Sequence, residues 1–376
     1  MAQRGFVIMA QRGLPSMPSL QTLAVVMEKP QCLRLDRVGL SVPGEQDLLV
    51  EIGASGISTG TEKLLWTGRM PHFPGMGYPL IPGYESVGRV LEAGRNSSRR
   101  AGDFVFVPGA RCYPEVRSLF GGAAKTVVVP SHRALAMDQQ LGERAVLLAL
   151  AATAQHAMNL PHLDAPDLIV GHGVLGRLLA RLCMLRGGPP PTVWERDPLR
   201  RPVQSSPQDL AQGPQQSAPV AVFSEALPEV PNSLAAKLSS SISAARSPVD
   251  YPVVQPEDDP RRDYRCIVDA SGDASHLDQL IARIAPGGQL VLAGFYADLL
   301  HFSFAPAFMR ELSIRVAAEW KEQDLHAVKR FVESGQLSLD GLITHRMPAQ
   351  EANRAYETAF TDPSCLKMVL DWSSCQ

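Results

Sequence analysis

One six-residue stretch, Gly171-His172-Gly173-Val174-Leu175-Gly176, constrains the fold more than any other feature of this chain. The apolar run Leu168-Ile169-Val170 leads into it and a helix-forming run, 177–186, leaves it. Strand, glycine turn and helix in that order begin a parallel α/β unit whose first turn can wrap a pyrophosphate. Gly171 permits the tight turn, Gly173 lets backbone N–H groups approach phosphate at the positive helix end, and Gly176 permits close helix packing. The backbone of His172, Val174 and Leu175 completes the cradle. Thr192-Val193-Trp194-Glu195 reads as the next strand. Its terminal acid lies about 20 residues beyond the glycines, where a carboxylate binds the adenosine ribose hydroxyls. Glu195 therefore favours NAD over NADP, although the adjacent Arg196 is suited to a 2′-phosphate.

The motif begins only at residue 168, so another unit precedes it. There, β-rich runs at 23–26, 48–52, 87–91, 104–107 and 125–129 alternate with Gly/Pro turns, the pattern of a partly open β-barrel. After the glycine motif the α/β pattern resumes with Cys266-Ile267-Val268-Asp269, a helix at 275–284 and a strand at 289–293. A strand at 313–317 and a helix at 325–333 complete a doubly wound parallel sheet, and 343–372 returns to the first unit. The expected organisation is α/β: a disordered tail at 1–21, a catalytic barrel at 22–145, a nucleotide-binding domain at 146–336 and the return at 337–376. The tail repeats Met-Ala-Gln-Arg-Gly at residues 1 and 9. An insertion at 202–256, rich in Gln, Ser, Pro and Ala, has too little apolar surface to order itself. Within it, Leu234, Leu238 and Ile242 would share one face of a short helix.

A net charge of −2 over 376 residues, with basic residues only in short clusters, excludes a nucleic-acid-binding surface. No apolar run reaches the roughly 18 residues that span a bilayer, and no secretory signal is evident, so a cytoplasmic protein without an integral membrane segment is expected. The six cysteines, Cys32, Cys112, Cys183, Cys266, Cys365 and Cys375, form no CxxC pair, which argues against a disulfide frame or a zinc knuckle.

The layout resembles the medium-chain dehydrogenase/reductase superfamily, a GroES-like catalytic domain before a Rossmann domain. The resemblance rests on Gly83-Tyr84-Glu85 where the superfamily often has Gly-His-Glu, on Gly88-Arg89-Val90, on the Gly102-Asp103-Phe104-Val105 turn, and on Lys367. Longer strings at 55–70, 169–181 and 293–297 resemble one branch of it. That branch oxidises the 3-(1-hydroxyethyl) group of a bacteriochlorophyllide or chlorophyllide to 3-acetyl. The resemblance implies an NAD-dependent alcohol dehydrogenase with a tetrapyrrole substrate, homo-oligomeric assembly and a place beside photosynthetic membranes. Two other readings stay open: a zinc-free quinone or enone reductase of the same superfamily, and a pigment-binding carrier that kept the fold without catalysis.

Many alcohol-oxidising relatives hold a catalytic zinc through Cys and His, and the corresponding positions here resemble Ser58 and Tyr84. A hydroxyl and a phenol are poor zinc ligands, so no protein-bound metal is expected. A proton relay is then required as hydride leaves the carbinol carbon. The resemblance offers Ser58, Thr59, Tyr84, Glu85 and His156 as catalytic candidates, with His156 taking the proton directly or through Ser58. Glu85 also reads as half of a structural ion pair. Asp269 and Ser271 follow one Rossmann strand, and Gly294 and Phe295 follow the next, where loops border the nicotinamide. A chlorin needs a wide apolar slot. Trp66, Met70 and Phe73 are its expected lining, with Phe302 and the residues to Met309 adding more, Lys63 facing a propionate and His72 the pigment's magnesium.

Overall fold

The computed structural model describes residues 20–72, 74–201 and 250–375. The 1–19 tail, Phe73 and the 202–249 part of the insertion, including the helix expected around Leu234, lie outside the described residues. All five β-rich runs of the first unit are strands: Gln21–Lys29, Asp47–Ile57, Ser86–Ala93, Phe104–Val107 and Thr126–Pro130. The long strand Asp47–Ile57 is the spine. It pairs antiparallel with Ser86–Ala93, with Thr126–Pro130 and with Met368–Asp371 near the C-terminus. His345–Pro348 adds beyond Met368–Asp371, so the end of the chain is woven into the first sheet.

The second sheet is wholly parallel in the order Val253–Val254, Thr192–Trp194, Leu168–Val170, Tyr264–Asp269, Ile284–Leu292, Ser313–Val316. Numbered along the chain this is 3-2-1-4-5-6, the order of a dinucleotide-binding sheet. Its third strand corrects the expected insertion, because residues 250–256 are ordered and Val253–Val254 pairs with Val193 and Trp194. Two apolar residues between Pro252 and Gln255 set no detectable period, so the local composition concealed them. The helix at the glycine motif is Val174–Leu185 and the last one of this sheet is Glu322–Glu333.

The two sheets share a core. Ala54, Tyr84, Val87 and Phe106 from the first pack in one cluster with Ile169, Val193 and Val268 from the second. The helix Leu148–Met158 belongs to that cluster; it is apolar on most of its circumference because it is buried on most sides. This arrangement fixes Tyr84 at the seam between the units.

Candidate active site

The glycine loop divides its labour among its three glycines. Gly171 has φ +96°, which a side chain strains, and a Cβ on Gly176 would lie 1.8 Å from the Gly171 carbonyl oxygen. Around Gly173 nothing lies within 4 Å of the position a Cβ would take, so this is the open glycine, at the N-cap of Val174–Leu185. The loop fits a nucleotide pyrophosphate. Val174 is buried in the core and Leu175 is half-buried, so these two offer the ligand backbone N–H groups. The His172 side chain is likewise turned away. It is fully buried, its Nδ1 lies 2.8 Å from the Arg200 carbonyl and its Nε2 3.1 Å from the Tyr251 hydroxyl. Burial pushes the imidazole down to about 3, with Arg177 adding to the shift, so it is neutral. Glu195 closes the loop: its Oε2 accepts from the His172 N–H at 3.0 Å and its Oε1 from that of Asp197 at 2.9 Å.

Beyond the next strands the expected cofactor contact of Asp269 needs correction. Its carboxylate is buried, accepting from the Ser271 N–H at 2.8 Å and the Tyr296 hydroxyl at 2.6 Å. It ties two strand-end loops together, and these approach so closely that a Cβ on Gly294 would lie 2.5 Å from the Gly272 nitrogen. Ser271 and Phe295 remain exposed at these loop ends.

Ser58 and Tyr84, 26 positions apart, meet: the Tyr84 hydroxyl donates to Ser58 Oγ at 2.7 Å. Both are nearly closed to solvent. Burial raises the Tyr84 phenol well above its ordinary range, with the charge of Glu85 adding, so it stays a neutral donor. Its ring lies 5.1 Å edge-on from Phe120 and 6.3 Å from Trp320, two aromatic neighbours the sequence reading missed. Thr59 is half-buried on the turn just after Ser58.

Two other catalytic candidates are placed elsewhere. His156 turns to Asp324, with Nδ1 2.8 Å from Oδ2, and Asp324 also accepts from Asn159 and from the Lys321 N–H. That contact uses Nδ1 at the junction of two helices, and among the described residues no hydrogen bond joins the ring to Ser58. Glu85 is fully buried against Lys367, whose Nζ lies 2.6 Å from Oε2 and 3.1 Å from the Ile57 carbonyl. Its role in the geometry is an ion pair with lysine. The missed residue of most consequence is Glu62, which accepts from the Ser58 N–H and the Tyr356 hydroxyl. The sequence carried no signal for it, since an acid in the first turn of a short helix reads as solvated.

The residues expected to line the pigment slot divide between core and surface. Trp66 packs on Phe360 with ring centres 5.5 Å apart, and Met70 is buried in the core of the first sheet. Lys63 and His72 are exposed. Phe302, Phe304, Phe308 and Met309 are exposed beside the edge strand Ser313–Val316, on the rim of the second sheet. The aromatic wall at the hydroxyl pair is Phe120 and Trp320.

Zinc would find poor donors at this site. Ser58 and Tyr84 are bonded to each other, and among the described residues no three His, Cys, Asp or Glu side chains converge.

Comparison with known proteins agrees with this architecture. Residues 44–139 match the alcohol dehydrogenase GroES-like domain family. An alcohol dehydrogenase of Escherichia coli CFT073, solved with NADH, superposes with a TM-score of 0.70 at 18% identity, covering 94% of this chain and 99% of that one. A dehydrogenase of Sinorhizobium meliloti 1021, solved with NADP, gives 0.68 at 19% identity over 94% and 99% of the two chains. The 2-desacetyl-2-hydroxyethyl bacteriochlorophyllide A dehydrogenase of Rhodobacter capsulatus is 49% identical over 354 residues, 94% of this chain and 99% of the relative. The glycine cradle, the seam between the sheets and this near full-length identity lead to one conclusion: the chain belongs to the bacteriochlorophyllide dehydrogenase family of GroES-like alcohol dehydrogenases.

Proposed function

We propose that the protein oxidises the 3-(1-hydroxyethyl) group of a bacteriochlorophyllide or chlorophyllide to 3-acetyl, using NAD and no zinc ion. The observation that carries the chemistry is the hydrogen bond between Tyr84 and Ser58, buried beside Phe120 and Trp320 at the seam. The nicotinamide, when bound, accepts the hydride. The chain's part is to position: the Gly171–Gly176 loop holds the pyrophosphate, and Glu195 meets the adenosine ribose. Tyr84 donates to Ser58 Oγ, which leaves the Ser58 hydroxyl proton to donate to the carbinol oxygen beside Phe120 and Trp320, and the carbinol proton is released to solvent as the hydride leaves. The test is an absorption assay of chelator-treated protein with the hydroxyethyl bacteriochlorophyllide and NAD⁺. Formation of NADH with the 3-acetyl pigment supports the reading. Turnover only after zinc is added, or pigment binding without turnover, overturns it.

Coenzyme choice rests on Glu195. Its charge opposes a 2′-phosphate, while the neighbouring Arg196 is exposed and available to one. Glu195→Gln is expected to lower the ratio of kcat/KM for NAD⁺ to that for NADP⁺ by about tenfold, which corresponds to about 1.4 kcal/mol. An unchanged ratio would remove Glu195 from coenzyme selection.

Assembly is proposed through the open edge of the parallel sheet. Ser313–Val316 pairs on one side only among the described strands, and Ile314, Val316, Phe304, Phe308 and Met309 are exposed around it. A second copy laid edge to edge would cover both the backbone and these apolar groups. Ile314→Glu is expected to shift the mass measured by light scattering from oligomer to monomer, and a wild-type monomer would refute this surface.

A further inference from the structure

Beneath the hydroxyl pair lies a second carboxyl that the proposed reaction leaves unused. Glu62 stands at the start of the short helix Thr61–Thr67 and is completely buried. Its Oε1 accepts from the Ser58 N–H at 3.2 Å and its Oε2 from the Tyr356 hydroxyl at 2.7 Å. The ammonium of Lys367 is committed to Glu85 and to the Ile57 carbonyl, leaving Glu62 held by neutral donors. Four titratable groups surround it. Tyr84 and Glu85 come from the turn before Ser86–Ala93, Tyr356 from the helix Ala352–Thr361, and Lys367 from the residue before Met368–Asp371.

We propose that Glu62 is a positioning residue whose ionisation sets the Ser58–Tyr84 geometry and thereby couples turnover to pH. The inference rests on the reading of Ser58 and Tyr84 given above. As a carboxylate, Glu62 accepts from both donors, and the charge makes its bond to the Ser58 N–H roughly twice as strong as a neutral one. That bond fixes the turn carrying Ser58 Oγ under the Tyr84 hydroxyl. When protonated, Glu62 must donate through one oxygen, the Tyr356 hydroxyl must reverse, and the hold on Ser58 weakens. Burial pushes this carboxyl up to about 7, opposed by Tyr356 and helped by Glu85, so the exchange falls near neutral pH. The sign is fixed: kcat declines as pH drops through that region.

The experiment measures kcat and KM against pH for wild type, Glu62→Gln and Tyr356→Phe. It adds a pH titration of the buried carboxyl band by infrared difference spectroscopy on cofactor-free protein. Glu62→Gln is expected to lower kcat by on the order of tenfold with KM little changed, to lose the acid limb and to lose the titrating band. Tyr356→Phe removes a bond that holds the Glu62 carboxyl down, so limb and band move to higher pH. A purely structural role would lower activity without altering the profile. A limb retained in Glu62→Gln, or one unmoved in Tyr356→Phe, overturns the proposal. If Ser58→Ala and Tyr84→Phe turn over like wild type, the reading of the hydroxyl pair has failed. If they are impaired while Glu62→Gln keeps its limb, the Glu62 inference alone has failed.

Discussion

Replacing Lys367 by methionine is expected to destabilise the protein by about 3–5 kcal/mol, seen as a lower urea midpoint with an unchanged denaturant slope. The magnitude follows from where the pair sits. Lys367 and Glu85 are each almost wholly buried, their charged atoms 2.6 Å apart, and Glu85 Oε1 has no hydrogen-bond partner among the described residues. Even the backbone makes room for the pair, since a Cβ on Gly56 would lie 2.3 Å from Glu85 Oε2. Without the ammonium, a carboxylate is left in an apolar site with nothing to balance it. Burial already raises the Glu85 carboxyl, Lys367 opposing, and its loss raises it further. A carboxyl with a raised folded-state pKa destabilises the fold as pH rises above the unfolded value. The deficit of Lys367→Met should therefore shrink as pH is lowered, and Glu85→Gln added to it should restore part of the stability at neutral pH. A deficit below about 1 kcal/mol at neutral pH would mean that solvent reaches the pair.

That pair also shows where sequence reasoning runs short. Local pattern sufficed for five of the six strands of the second sheet, where apolar runs, glycine turns and helical periods lie within a few residues of one another, but not for Val253–Val254 at the end of the insertion. Ser58 and Tyr84 became candidates only through the family resemblance, and their hydrogen bond depends on two turns 26 residues apart. Partners at long range were not available to local pattern. Asp324, which claims His156, lies 168 positions away, and Lys367 lies 282 from Glu85. For Trp66 and Met70 the difficulty is different. An apolar residue on a short helix or just past its end meets either a core or a ligand with the same chemistry, and for Trp66 only the presence of Phe360 decides it. Glu62 was hidden by company, an acid between Thr61 and Lys63 at a helix start reading as a solvated first turn.

Tyr84→Phe is the substitution expected to damage catalysis most, lowering kcat by about 10²–10³-fold, the usual loss when one preorganised donor is removed from an enclosed site. The protein should fold nearly as before. Phenylalanine keeps the ring that packs against Phe120 and Trp320, and the loss of one hydroxyl hydrogen bond costs about 1 kcal/mol. KM should change little, because the aromatic wall that would meet the macrocycle is intact, and the effect therefore separates into kcat. Ser58→Ala leaves the Tyr84 hydroxyl in place but removes its acceptor at 2.7 Å, freeing the phenol to rotate. If the two act as one unit, the double variant will be barely slower than Tyr84→Phe alone, since groups that work together are strongly non-additive. Multiplicative losses would assign them independent tasks. Wild-type kcat in Tyr84→Phe would show instead that the tyrosine serves only the seam between the sheets, and that the carbinol oxygen is held by another group.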